Sequence, residues 1–308
     1  MTLQQLEYIV ALNRHRHFAK AADSCHVTQP TLSAMIQKLE DELKVRIFDR
    51  SSQPIKPTDI GAVIIRQAQQ TLIEAERISD ISAQYRHSKA GRINIGILPT
   101  IAPYLLPRFL PDFIDNNPDI DVHISEMKTS AAMAALQTGD IDAAIIADVG
   151  GQSGTIEHEL FFEQFYAYVS RQSKLFEQDV VRTADLHNER LWLLDEGHCF
   201  RNQLLRFCQM EGAQQSRSSF SMSSIDTFMH IVENGRGITF VTELAVELLA
   251  AERREFVRRF ALPSPTRRIV MLTNINYART SLIESIVNAI RACVPPKMLV
   301  LRPGQVRV

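Results

Sequence analysis

The sequence predicts two kinds of domain in one chain, a small and mainly helical N-terminal unit followed by a larger α/β domain. Short amphipathic segments within residues 3–43 precede a helical pattern of nearly thirty residues. After Gly91, strand-like and helical segments alternate in the order β-α-β-α-β, which is typical of a parallel sheet covered by helices. With 308 residues, 45% of them hydrophobic, the chain is long enough to form two cores.

The N-terminal segments predict a winged helix-turn-helix. A tight connection follows the second segment, Thr28 is suited to cap the third, and Pro30 suits its first turn. A strand and wing are expected over residues 48–54. The apolar positions of the three helical segments are Leu3, Leu6, Ile9 and Val10, then Phe18, Ala21 and Ala22, and then Leu32, Ile36, Leu39 and Leu43.

Small polar residues on the third segment favour a DNA-binding surface over an ordinary helical hairpin. They are expected to read the major groove, while Arg50 in the wing is placed to meet a phosphate or the minor groove. The first 57 residues carry a modest excess of basic side chains, which is compatible with nucleic acid. The candidate DNA-contacting residues are Gln29, Pro30, Thr31, Ser33, Gln37 and Arg50.

Thr58 is expected to cap a long helix that runs to about residue 87. Its narrow apolar seam favours pairing with a second copy of the chain, although a helix lying on its own domain is the alternative. The seam consists of Ile64, Ala68, Leu72, Ala75, Ile78, Ser82 and Tyr85.

Strands of the α/β domain are predicted at residues 92–98, 120–127, 141–147, 165–170, 190–195, 237–242 and 268–274. The predicted helices between and after them include 99–117, where a loop precedes the helix, 130–137 and 281–293. Ligands bind at the carboxyl ends of such strands, where Thr100 and Thr129 follow the first two.

Composition excludes several classes of protein. Four cysteines without CxxC spacing argue against a zinc ribbon and against a disulfide-stapled secreted scaffold, so no metal and no cofactor are expected. The N-terminus lacks the features of a signal peptide, and no apolar run approaches a membrane span. We therefore expect a cytoplasmic protein with no membrane association, in which a disulfide would be transient.

Cys199 and Cys208 lie nine positions apart in a segment that reads as a helix, GHCFRNQLLRFC. An intact helix would separate them by about 13.5 Å, whereas a disulfide requires Cα atoms within about 7 Å. They are therefore either unrelated thiols or a pair that joins only when the helix unwinds. The remaining cysteines, Cys25 and Cys293, have no partner in the pattern.

The two thiols are expected to differ. Cys199 would lie in the first helical turn beside His198 and Arg201, which favours the thiolate form. Cys208 follows an apolar stretch and is expected to be packed and protonated.

The chain resembles LysR-type transcriptional regulators over essentially its whole length, on the motifs AADSCHVTQPTLSAMIQKLEDEL and LQTGDIDAAI. This resemblance implies an effector domain of two periplasmic-binding-protein-like subdomains, with the chain crossing near Phe162 and returning near Pro265. The expected boundaries are 1–58 for the DNA-binding domain, 59–89 for the linker helix and 90–308 for the regulatory domain. Its first subdomain would comprise about 90–162 and 266–300, and its second about 163–265.

The segments HFAKAADSCHVTQPTLS, GILPTIAPYLLP and GHCFRNQLLRFC resemble the peroxide-sensing members of that family. This implies a peroxidatic Cys199, a resolving Cys208 and a peroxide pocket of Thr100, Thr129, His198 and Arg201. Such sensors often carry Leu and an acidic residue where this chain has Phe200 and Asn202.

The resemblance also implies the partners of the chain. It would act on the nucleoid as a homodimer or homotetramer on promoter DNA, respond to hydrogen peroxide, engage RNA polymerase and activate oxidative-stress genes. A thiol reductant such as glutaredoxin or thioredoxin would reset it. A LysR-type regulator that binds an organic effector between its subdomains is the first alternative, and a thiol peroxidase is the second.

Overall fold

The computed structural model describes residues 1–85, 91–148, 150, 153–194, 199–208 and 224–308. The chain forms two compact units, one ending with the long helix and the other containing the α/β sheet. In this described part of the chain no helix has both the length and the apolarity that crossing a membrane requires. The same residues contain no group of three or more His, Cys, Asp and Glu side chains that could hold a metal ion.

The first unit contains the predicted helix-turn-helix. Thr2 and Gln5 form a capping box at the first helix, and Thr28 caps the third helix with Pro30 in its first turn. The apolar face of each helix points into a shared core, although Leu3 and Leu43, at the two ends of the motif, stay exposed. The helices are α1 (Leu3–His15), α2 (Phe18–Ser24) and α3 (Gln29–Leu43).

A short antiparallel pair of strands, β1 (Phe48–Asp49) and β2 (Lys56–Pro57), forms the wing. The long helix α4 (Asp59–Tyr85) begins directly after it, where the amide of Gly61 donates to Thr58 Oγ1 at 3.0 Å. A Cβ atom on Gly61 would lie 1.9 Å from the carbonyl oxygen of Ile47. Only glycine therefore lets the helix approach the wing this closely.

The apolar residues of α4 serve two surfaces, which revises the predicted seam. Ala68, expected to face a second copy, is buried in the core of its own unit together with Ile65. The first half of the helix thus follows the alternative, in which it lies on its own domain. Exposed apolar side chains are left at Ile60, Val63 and Ile78.

The second unit begins with the predicted β-α-β-α-β order. Strand β3 pairs in parallel with β4 on one side and with β5 on the other, so the first two carboxyl ends share one edge of the sheet. These elements are β3 (Gly91–Ile97), α5 (Ala102–Asn116), β4 (Ile120–Glu126), α6 (Thr129–Thr138) and β5 (Ala143–Ala147).

The rest of the unit is organised around two long strands, β6 (Thr155–Val169) and β10 (Ser264–Asn274), which pair antiparallel. The first half of β6 pairs with β10, and its second half pairs with β8 and β9. The remaining elements are β7 (Val180–Val181), α7 (Cys199–Phe207), α8 (Ile225–Asn234), β8 (Ile238–Thr242), α9 (Glu243–Leu248), α10 (Ala251–Arg254), β9 (Val257–Phe260), α11 (Thr280–Cys293) and β11 (Gln305–Arg307).

One predicted strand is wrong. Within residues 190–195 the structure has only an isolated bridge from Leu191 to Ile238, and Asp195 lies outside the described residues. Leu194 is buried there, with 2% exposed, and the three residues before it pack against the core while partly exposed. Strand β6 is also longer than predicted, because its first ten residues were not recognised as strand.

Candidate redox site and nucleic-acid interface

Helix α7 holds the two cysteines at its opposite ends. It begins at Cys199, and the backbone amide of Cys208 still donates to the carbonyl of Leu204 at 2.9 Å. The helical hydrogen bonds therefore continue through all nine intervening steps, which correspond to a rise of about 13.5 Å. That separation is about twice what a disulfide can bridge, so the two residues cannot be joined while α7 is intact.

The Cys208 thiol is packed in the core of the α/β unit. It is free and only 2% exposed, and burial raises its pKa to about 12. Next to it, Phe207 meets Phe260 edge-on with ring centroids 5.9 Å apart, and Leu204 is 1% exposed. At neutral pH this thiol is protonated and shielded.

At the other end of α7, Phe200 packs against aromatic and charged neighbours. Its ring meets Phe165 edge-on at 5.2 Å, and the guanidinium of Arg267 lies 5.6 Å from its centroid. Arg267 also lies 5.7 Å from the ring of Phe165. The residue that follows Cys199 is thus fixed in a stack with a buried cation.

Arg267 is fully buried and is neutralised by an equally buried carboxylate. Its Nε donates to Glu163 Oε2 at 2.9 Å, and the other Glu163 oxygen accepts the backbone amide of Leu244. Two further nitrogens of Arg267 donate to the hydroxyl and the carbonyl of Thr100, at 3.0 and 2.9 Å. Because Thr100 Oγ1 accepts from Arg267, its own hydrogen remains available to a ligand.

Arg267 and Glu163 are not among the residues predicted for this site. A buried charge could have been predicted at Glu163, because it is a single charged residue inside the largely apolar stretch LFFEQF. A charge in such a stretch is seldom fully buried unless it is paired.

Thr100 and Thr129 occupy equivalent places at one edge of the sheet. Ile97 of β3 and Glu126 of β4 are paired on parallel strands. Thr100 lies three residues after Ile97, and Thr129 lies three residues after Glu126. Thr129 Oγ1 is buried and has no hydrogen-bond partner among the described residues. The described contacts connect Thr100 to α7, through Arg267 and Phe200, but they do not connect Thr129 to it.

The remaining residues predicted for the pocket are only partly described. His198 lies outside the described residues. Arg201 lies in α7 with 9% of its surface exposed. Two residues further on, the side-chain amide of Gln203 donates to the backbone carbonyl of Val308 at 3.0 Å. Helix α7 is therefore also bound to the chain after β11.

The predicted DNA-reading residues lie on α3. Gln29, Pro30 and Thr31 are exposed in its first turn, at the positive end of the helix dipole. Ser33 and Gln37 follow at helical spacing and are partly buried. This surface can therefore approach a groove and its phosphates.

The candidate residue Arg50 is partly engaged within its own unit. Its Nη2 donates to Glu40 at 3.0 Å, and its guanidinium lies 5.7 Å from the ring of Phe18. Of the other cysteines, Cys293 donates to the carbonyl of Ile290, and burial raises its pKa. Cys25 is half-buried at the end of α2.

Two features are typical of a DNA-binding regulator with a sensory domain. One unit has the exposed and capped helix α3, and the α/β unit has the two-cysteine helix α7. Residues 3–62 match the family profile described as bacterial regulatory helix-turn-helix protein, lysR family. Residues 86–293 match the profile described as LysR substrate binding domain.

Relatives narrow the class further. The chain is 36% identical over 294 residues to the DNA-binding transcriptional dual regulator OxyR of Escherichia coli K12, covering 95% of each chain. It is 38% identical over 246 residues to the hydrogen peroxide-inducible genes activator of Dickeya chrysanthemi, covering 80% of each. A full-length OxyR variant from Pseudomonas aeruginosa superposes with a TM-score of 0.77 at 34% identity, covering 96% of this chain and 99% of that one.

The chain therefore belongs to the LysR family of bacterial transcriptional regulators, in its OxyR branch. It is a DNA-binding transcriptional regulator and not an enzyme.

Proposed function

We propose that the chain senses hydrogen peroxide and activates oxidative-stress genes through a reversible disulfide between Cys199 and Cys208. The observation that carries the proposal is the intact helix α7, which keeps the two cysteines apart and buries Cys208. Forming the bond must then unfold the helix, so a chemical event becomes a structural one. The name of the Dickeya chrysanthemi relative, hydrogen peroxide-inducible genes activator, supports peroxide as the signal.

The first step is attack by the Cys199 thiolate on one oxygen of hydrogen peroxide. The O–O bond breaks, a proton is taken up, and the products are a sulfenic acid and water. A position at the helix N-terminus favours the thiolate. Cys208 does not compete, because a thiol whose pKa is about 12 is ionised to only about one part in 10⁵ at pH 7.

In the second step, Cys208 attacks the sulfenic sulfur. The S–S bond forms, and the hydroxyl leaves as water with the thiol's proton. Exposure of Cys208 on unwinding would bring its pKa back toward the ordinary thiol value of about 8.5. Unwinding also exposes Leu204, whose burial is worth roughly 1.5–3 kcal/mol, and the half-buried Phe207. The oxidised form is therefore readily reset by a thiol reductant such as thioredoxin or glutaredoxin.

Peroxide would be held by Thr100, Thr129, His198 and Arg201. The Thr100 hydroxyl accepts from Arg267 and keeps a hydrogen to donate, and the Thr129 hydroxyl is buried without a partner among the described residues. Both features suit a small ligand with two hydroxyl groups. The Arg267–Glu163 pair would fix this wall of the pocket and, through Phe200, the start of α7.

On DNA we propose a dimer of dimers. The exposed Ile60, Val63 and Ile78 on α4 suit a helix that pairs with its copy, and contacts between regulatory domains would complete the tetramer. The division of β6 between β10 and the β8–β9 side supports two subdomains that exchange the chain near Phe162 and Pro265. Unwinding of α7 would reposition the regulatory domains and so recruit RNA polymerase.

The proposal is tested by mass spectrometry before and after one equivalent of hydrogen peroxide. The parent protein should lose two hydrogens, and peptide mapping should join Cys199 to Cys208. Cys199→Ser should not react or activate. Cys208→Ser should consume one peroxide, stop at a dimedone-trappable sulfenic acid and respond weakly or not at all.

The double variant Cys25→Ser, Cys293→Ser is the matched control and should respond like the parent. Full activation by Cys208→Ser would mean that oxidation of Cys199 alone is the signal. Faster alkylation of Cys208 than of Cys199 would reverse the proposed roles.

A further inference from the structure

Glu40 fastens the end of the recognition helix to the wing. Its side chain is 1% exposed, and its Oε1 accepts the backbone amides of Ile47 and Phe48 at 2.7 and 3.2 Å. Its backbone carbonyl accepts the amides of Lys44 and Val45, which close the turn after α3. One residue thus fixes where the chain goes between the recognition helix and the wing.

The other carboxylate oxygen of Glu40 gathers two arginines. Arg46 Nη1 donates to Oε2 at 3.2 Å and Arg50 Nη2 donates to the same oxygen at 3.0 Å. Because both nitrogens touch one atom, they lie no more than about 6 Å apart. One carboxylate neutralises only one guanidinium, so the cluster keeps a surplus positive charge.

Each guanidinium is also held from a second side. Arg46 Nη1 donates to Gln37 Oε1 of α3 at 2.8 Å, and Arg50 lies over the ring of Phe18. Their side chains nevertheless remain 64% and 37% exposed. Two cations are therefore fixed close together where solvent reaches them, beside a residue of the recognition helix.

We propose that Arg46 and Arg50 form a single binding site for one phosphate of the DNA backbone, preorganised by Glu40. Guanidinium groups match phosphate oxygens in geometry, and an anion between them would satisfy the charge that Glu40 leaves over. The bond from Arg46 to Gln37 would then set the register of α3 against that phosphate. The inference rests on DNA binding by this family and adds Arg46 and Glu40 to it.

The dependence of DNA affinity on salt provides the test. On a fluorescent mixed-sequence duplex, log K falls with log salt by about 0.9 for each phosphate contacted. Arg46→Ala, Arg50→Ala and the double variant should each lower the slope by about 0.9 per DNA-binding domain. A shared phosphate can be lost only once, so the double variant should lose no more slope than either single variant.

Lys56→Ala is the matched control, because Lys56 is an exposed wing cation that is not part of this cluster. Its effect on the slope should add to that of Arg50→Ala. The slope reports the ions released and not the folded fraction, so a loss of stability in a variant does not imitate the result.

Glu40→Gln tests the preorganisation. Its amide can keep an oxygen on the two backbone amides while its NH₂ group faces the arginines, so both guanidiniums should be released. DNA affinity should then fall, although the variant carries one negative charge fewer, and unchanged or higher affinity would show that Glu40 does not preorganise the site. A twofold larger slope loss in the double variant would show two separate phosphates and overturn the proposal. An unchanged slope in Arg46→Ala would do the same, whereas a parent protein with no salt dependence would contradict DNA binding itself.

Discussion

Glu40 and Glu163 are both buried carboxylates that bind arginine, but the charge balance around them differs. In the α/β unit one carboxylate meets one guanidinium, and Arg267 is closed in by Thr100 and two aromatic rings. In the helix-turn-helix unit one carboxylate meets two guanidiniums that solvent reaches. The first cluster is neutral and closed, and the second is positive and open.

The difference indicates what each cluster can do. A closed ion pair has no net charge that could attract a partner. Its role is to hold Phe200 and Thr100 beside the start of α7. An open cluster remains able to bind an anion, and its carboxylate prevents the two cations from repelling each other apart. Removal of the glutamate should therefore have different consequences in the two units.

The largest effect is expected from Glu163→Ala. Arg267 would be left buried and unpaired, which typically costs about 3–5 kcal/mol in the free energy of unfolding. Glu40→Ala should cost its unit only about 2 kcal/mol, because Arg46 and Arg50 can rehydrate and the loss comes from the amides of Ile47 and Phe48.

Urea unfolding measures the two costs separately. The single tryptophan, Trp192, reports on the α/β unit, and hydrogen exchange in α1–α3 reports on the other. Glu255→Ala, which breaks an exposed pair with Arg171, is the control and should cost no more than about 1 kcal/mol. Equal costs for Glu40→Ala and Glu163→Ala would remove the distinction between the clusters.

A smaller effect is expected where the closed cluster touches α7. Phe200→Leu would lose the edge-on contact with Phe165 and the ring face under Arg267, together about 1 kcal/mol. The start of α7 should then open more easily, so the disulfide should form about fivefold faster after the sulfenic acid appears. The lifetime of the sulfenic acid, trapped with dimedone at timed intervals, measures this change.

Phe109→Leu is the matched control for that experiment. It also loses an edge-on aromatic partner, Phe113 at 6.4 Å, but on α5 rather than on α7. Its sulfenic acid should persist as long as that of the parent. An unchanged lifetime in Phe200→Leu would mean that the stack does not hold the helix closed.

Features of the fold that depend on neighbouring residues could be predicted from the sequence. Features that depend on contacts between distant parts of the chain could not. Caps at Thr28 and Thr58, and the β-α-β-α-β order, follow from residues close together in the chain, and the structure has them. The first half of β6, with Glu157, His158 and Glu159 in series, has no strand periodicity and is extended because β10 pairs with it. Conversely, residues 190–195 have strand composition but no long partner strand.

The candidate sites show the same limit. Cysteine spacing and threonines after strands are visible in the sequence, whereas the Arg267–Glu163 pair joins residues 104 positions apart. No local pattern links them. The proximity of Arg46 and Arg50 could not be predicted from the sequence either, because it depends on the Glu40 oxygen to which both arginines donate.

Thr129→Val is expected to change stability the least, but it should change the reaction of Cys199 with peroxide. Its buried hydroxyl has no partner among the described residues, so Thr129→Val should leave the α/β unit as stable as before or up to about 1 kcal/mol more stable. If that hydroxyl orients peroxide, the reaction of Cys199 with peroxide should slow by about tenfold or more. Its reaction with iodoacetamide should hardly change, because the thiol itself is not altered.

Thr242→Val separates the two consequences. Thr242 Oγ1 is also buried without a partner in the described structure, but at the end of β8. This variant should share any gain in stability and keep the parent's rate with peroxide. If Thr129→Val slowed both reagents equally, the substitution would have disturbed the site, and the hydroxyl would not be a peroxide ligand. If it slowed neither, Thr100 and the residues of α7 would have to hold peroxide without it.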